Sequence, residues 1–169
     1  MQDHTHRAGF TWTELSVVVL LLAILAGALT PRVTDRLAVA RDARRLDQIL
    51  EIRDAIEQYR LDTGAYPARA GNGGWNRSDE DALLPVLVEG GYLDTPPRDP
   101  LNDSTYHYRY YVFENGAEGC VGPGEFYVLG IRSFETAEFQ GRHPSEFECA
   151  TRDWSAEFAW VTGGGVDEQ

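Results

Sequence analysis

The chain changes its hydrophobic period along its length. From Phe10 to Leu29 nearly every position is apolar, and the centre of this run, VVVLLLAILA (Val17 to Ala26), carries no polar side-chain atom. Only Thr11, Thr13, Glu14, Ser16 and Gly27 interrupt it. At a rise of about 1.5 Å per residue this makes a helix of about 30 Å, enough to cross a bilayer's hydrocarbon core. The next stretch, DRLAVARDARRLDQILEIRDAIEQYRLDTG (Asp35 to Gly64), is still helical in period but amphipathic. Leu46, Ile49, Leu50, Ile56 and Tyr59 form an apolar stripe with Ile52 beside it. Asp47, Glu51, Arg53, Asp54 and Glu57 cover the rest, and Gly64 is a fitting stop. Pro31 removes one helix hydrogen bond, so a kink or loosening is expected there rather than an end. Together these patterns predict one helix over about residues 10–62, roughly 80 Å long.

Beyond Gly64 the pattern breaks up. The segment from Ala68 to Asp81 is rich in Gly and Asn and reads as a loop, with Ser78 and Asp81 spaced like a helix-starting capping box. DALLPVLVEGG then predicts a short helical piece, disturbed by Pro85 and ended by Gly90 and Gly91. TYHYRYYVF (Thr105 to Phe113) alternates as a strand, placing Tyr106, Tyr108, Tyr110 and Val112 on one face to pack on the long helix. EFYVLGIRSF (Glu125 to Phe134) is a second expected strand, EFAWV (Glu157 to Val161) a third, and Asn115-Gly116 marks a turn between the first two. The expected class is α+β, a small antiparallel sheet laid on one long helix.

Charge excludes more than it assigns. A formal net charge of −12 disfavours nucleic acid and gives no attraction to anionic lipid headgroups. His107 and His143 have no Cys or His at ligand spacing, Ser145 and His143 do not make a triad, and no glycine-rich phosphate loop follows a strand. DPLND (Asp99 to Asp103) offers oxygen ligands in a loop but matches no calcium motif. No metal, cofactor or catalytic residue is expected. The two cysteines, Cys120 and Cys149, would be buried free thiols in a reducing cytosol, so their state depends on the compartment.

Three readings compete for the N-terminal run. A cleaved signal peptide could end at Ala26-Gly27-Ala28, but Glu14 and a leader with Arg7 against Asp3 fit it poorly. A plain membrane anchor leaves Glu14 unexplained, since a charge there costs about 2.5–3.5 kcal/mol on an insertion scale. The third reading is a prepilin N-terminus. Gly9, Phe10 and Glu14, within GFTWTEL, resemble the processing site of type IV pilins and type II secretion pseudopilins: a leader ending in Gly, then Phe, then Glu at the fifth mature position. Pro31 falls where many pilins also have a proline. QYRLDTGAYP (Gln58 to Pro67) and YLDTPPRDP (Tyr92 to Pro100) are similar to the same family. The departures are Trp12 for an aliphatic residue, a leader poor in basic residues, and Leu101-Asn102 where the secretion type usually has Trp-Gly.

The resemblance implies a pilin-like lollipop: leader peptide 1–9, a transmembrane or filament-core half-helix 10–31, and a globular head 32–169 that includes the amphipathic half of the helix. It implies cleavage between Gly9 and Phe10 by a prepilin peptidase that also N-methylates Phe10. It implies a buried Glu14 that neutralises the Phe10 amine of a neighbouring chain. With the head outside the cytosol, a Cys120–Cys149 disulfide is expected, worth about 3–4 kcal/mol in the chain-entropy model. The implied partners are the peptidase, other pilin subunits, and an inner-membrane assembly platform. The implied location is a single-pass inner membrane protein that moves into an extracellular or periplasmic filament. The function expected first is a type IV pilus subunit. The alternatives are a type II secretion pseudopilin and an anchored extracellular binding domain that never polymerises.

Overall fold

The computed structural model describes residues 10–68, 74–143, 145 and 147–166, and for residues 28–32 the backbone alone. The chain divides into two units, one up to Leu37 and one from Ala38 onward. Helix α1, Trp12–Thr63, is a single element that contributes to both. It ends where Gly64 takes a φ of 83°, the left-handed conformation that glycine adopts without a Cβ penalty.

The second unit has the α+β architecture expected. Its sheet has the order β1–β2–β3–β6, all antiparallel: β1 Asn76–Arg77, β2 Tyr108–Phe113, β3 Phe126–Ile131 and β6 Trp160–Gly164. Between these lie α2 (Pro85–Glu89), α3 (Ala137–Arg142) and a small hairpin of β4 (Glu148–Cys149) and β5 (Arg152–Asp153). Every residue of β3 is buried. Tyr127, Leu129 and Ile131 join Tyr108 and Tyr110 of β2 against Ile49, Ile52, Ala55 and Ile56 of α1. Phe126 and Val128 point the other way, into a second core with Trp154, Phe158, Val161 and Cys120. A strand covered on both faces reads as a continuous apolar run, and FYVLGI is one.

The tyrosine face of β2 does pack on the helix. Tyr108 Oη donates to Gln48 Oε1 at 2.8 Å, and Tyr110 Oη donates to the Pro67 carbonyl at 2.9 Å. Burial pushes both phenols far above their ordinary range, so they stay protonated donors.

Several local expectations are corrected. Ser78 caps no helix: its Oγ accepts the Tyr108 N–H at 3.0 Å, beside the β1–β2 pairing that the supposed loop supplies. Pro85 does not disturb α2 but begins it, where its missing N–H costs nothing. The Leu84 N–H before it is taken by Asn76 Oδ1 at 2.9 Å. β2 starts at Tyr108 rather than Thr105, because Asp103 Oδ1 holds the N–H groups of Thr105 and Tyr106 in a turn. β6 lies at Trp160–Gly164, not at Glu157–Val161. Phe158 is instead spent covering Gly130, where an added Cβ would come within 2.4 Å of its ring.

A buried ion cluster pins two loops to α1. Arg45, fully buried, binds Asp99 through Nε (2.6 Å) and Nη2 (3.0 Å), and binds Asp42 and Glu135 through Nη1 (2.7 Å each). Asp42 also accepts the N–H groups of Glu135 and Thr136 and the Thr136 hydroxyl, all at 2.8–2.9 Å. Thr136 in turn caps α3 through the Phe139 N–H. A charged group this deep is tolerable only when its lone pairs and protons are matched, as they are here.

Candidate functional site

The described part of the first unit begins with Phe10, 89% exposed. Thr11 precedes α1 and Glu14 stands in its first turn. The Thr11 N–H donates to Glu14 Oε2 at 2.8 Å, and the Glu14 N–H donates back to Thr11 Oγ1 at 3.2 Å. The Thr11 hydroxyl also donates to Glu14 Oε2, at 2.8 Å. These reciprocal bonds are a capping box, which satisfies N–H groups that a helix start leaves orphaned. Glu14 is thereby held at the positive end of the helix dipole, on a solvent-exposed end. Thr11, three residues before Glu14, is the sequence signal for this intramolecular role, which is additional to the intermolecular one expected above.

Past the box, the helix surface is uncovered. Leu15, Val17, Val18, Val19, Leu20, Leu21, Leu22, Ile24 and Leu25 are all between 48% and 61% exposed, and they lie on every side of the helix. A water-facing helix would show one polar stripe, and this one shows none. Among the described residues no helix is long and apolar enough to cross a membrane. Gly9 lies outside the described residues, and so does the side chain of Pro31, although the α1 backbone runs through that position.

The other candidate residues sit in the second unit. Cys120 and Cys149 form a disulfide, Cα–Cα 4.8 Å, that ties the short helix Ala117–Gly119 region to β4. Arg152 reinforces the tie by binding Glu118 (2.8 Å) and Glu157 (2.7 Å). The oxygens of the Asp99 loop are already engaged: Asp99 by Arg45 and the Leu101 N–H, Asp103 by its own turn. Among the described residues no three His, Cys, Asp or Glu side chains gather as metal ligands would.

The family model for type II secretion system (T2SS), protein G, matches residues 32–124. The chain belongs to the type II secretion system protein G family. Its relatives include the type II secretion system core protein G of Vibrio cholerae, 28% identical over 83% of this chain and 100% of that one. That of Pseudomonas aeruginosa is 31% identical over 73% of this chain and 83% of its own. That of Escherichia coli is 27% identical over 72% and 90%. No solved structure matches the chain. As a protein G family member it is a structural protein and not an enzyme. The departure at Leu101-Asn102 has a physical reading in this light. Asn102 takes a φ of 51°, a left-handed conformation that Asn tolerates where Gly is usual.

Proposed function

We propose that the chain is a pseudopilin, a filament subunit of a type II secretion machine, in preference to a type IV pilus subunit. The observation that carries this is the uncovered apolar half of α1, opened by the Thr11–Glu14 box, on a chain of the protein G family. A helix apolar on every side needs an apolar surround: first lipid, then the same helices of its neighbours. We assign residues 1–9 as a leader, 10–31 as the half-helix that sits in the inner membrane and then in the filament core, and 32–169 as the periplasmic head. A prepilin peptidase cuts between Gly9 and Phe10 and methylates the new amine of Phe10. Glu14 then matches the charge of that amine on a neighbouring chain, and Pro31 lets the helix bend as subunits pack. The secretion reading is favoured over the pilus reading by the names of the relatives, all core components of secretion systems.

Deletion of the chain in its own host separates these readings. The expected result is loss of secreted proteins from the medium, with surface pili unchanged and secretion restored by complementation. Normal secretion with lost pili would reverse the assignment. Normal secretion and normal pili would leave the anchored binding domain.

A further inference from the structure

On the sheet face that carries the second core, beside Gly130 and its cover Phe158, lies a group of arginines. Register places Arg77 of β1 directly opposite Arg109 of β2, and Arg109 opposite Gly130 of β3, two residues before Arg132. Like charges directly opposite across strands are unfavourable, so the pairing needs a counter-charge. Arg77 has its own: Asp79 at 2.6 Å and Glu80 at 2.8 Å. Arg132 Nη1 donates to the Glu157 carbonyl, which orients it without neutralising it. Among the described residues no carboxylate lies within ion-pair distance of Arg109, although Asp79 and Glu157 act on it from further off. Arg109 Nε donates to His107 Nε2 at 2.9 Å, and the buried imidazole is anchored in turn by Nδ1 on the Asp103 carbonyl at 3.0 Å. Elsewhere in this unit the fully buried guanidinium of Arg45 and the partly buried ones of Arg41 and Arg152 each meet carboxylates within 3 Å. Burial, and then the charges of Arg132 and Arg77, make the Arg109 cation less favourable than usual, and Asp79 and Glu157 offset this only in part.

We propose that Arg109, with Arg132 beside it and His107 behind it, is a binding site for a carboxylate. The imidazole takes only the Nε–H, which fixes the plane of the guanidinium, and among the described residues neither Nη group has a hydrogen-bond partner. That fork matches the two oxygens of a carboxylate. Asp79 and Glu80 do not fill the site, since Arg77 holds them. The carboxylate comes either from a free small dicarboxylate or from a side chain on a neighbouring acidic chain.

The test is calorimetric titration of malonate into the full chain in detergent at low ionic strength, repeated on assembled filaments. Saturable one-to-one binding is expected. Arg109→Gln and Arg132→Gln should each weaken it by about tenfold or more, while Arg44→Gln, an exposed arginine of α1, leaves it unchanged. Arg132 is exposed, so its replacement keeps the test valid if Arg109→Gln fails to fold. Binding that persists in filaments identifies a free dicarboxylate as the ligand, and binding that disappears on assembly identifies a neighbouring chain. No saturable binding, or equal loss in Arg44→Gln, would overturn the proposal.

Discussion

The two halves of α1 are equally helical and differently housed. From Ala38 to Thr63 the helix alternates sides: Ile49, Ile52 and Ile56 are at most 1% exposed under β2 and β3, while Asp47, Glu51 and Asp54 face water. From Leu15 to Leu25 the same backbone carries side chains as apolar, and none is buried. One half packs on the sheet of its own unit, and the other stays uncovered among the described residues. Burying a side chain such as leucine is worth about 1.5–3 kcal/mol, so nine uncovered ones make a strong demand for another surface. The second half is a fold, and the first half is the interface of the proposed filament.

The comparison breaks most sharply at the ion cluster. Arg45→Ala leaves Asp42 and Asp99 buried without their cation, and should cost the head about 3–5 kcal/mol. Thermal melting should show it, and membrane insertion of the first half should be unaffected. Arg45→Leu tests the same point less severely, since it keeps the packing volume. Wild-type melting of either variant would mean the cluster is solvated in solution.

This cluster also marks the limit of what the sequence discloses. The burial stripe Ile49–Ile56, the stop at Gly64 and the tyrosine strand followed from period and propensity, because each is a local pattern. Nothing in the local pattern sets Arg45 apart from the charged residues around it. Its partner Asp99 lies 54 positions away, and no local pattern encodes that pairing. α3, β4 and β5 were invisible for a related reason: elements of two to six residues are held by Thr136, Asp42 and the disulfide rather than by periodicity. At the site, Gly9, Phe10 and Glu14 were legible only through resemblance, while the Thr11–Glu14 box was legible from spacing and overlooked.

The second core offers a smaller effect. Cys149→Ser should destabilise the head by about 2–4 kcal/mol, chiefly where the β4–β5 hairpin covers Trp154. Hydrogen exchange should rise in residues 147–158 and remain low in α1 from Ile49 to Ile56. Uniform loss of protection would show that the two cores unfold as one.

The smallest effect is a pH dependence. Burial lowers the His107 pKa below its ordinary value; the Asp103 carbonyl and Asp79 oppose that shift, and Arg109 and Arg77 add to it. The unfolded chain therefore binds a proton at a pH where the folded chain does not. Its contribution is fully present above about pH 6.5 and is lost as pH falls from there through the folded pKa. Chemical denaturation at pH 7.5 and 5.5 should give a drop that His107→Gln reduces. An identical slope in the variant would assign the dependence to other groups.

The most direct test of the interface claim is Glu14→Ala, read as assembled filament against membrane-bound protein in the native host. Removing the carboxylate strands the Phe10 amine of a neighbouring chain, at about 3–5 kcal/mol, or roughly a hundredfold to several thousandfold per addition. Loss of the capping box costs only about 0.5–2 kcal/mol, in an exposed first turn. Filament should therefore collapse while folded, processed protein persists in the membrane. Equal filament from wild type and Glu14→Ala would contradict the account.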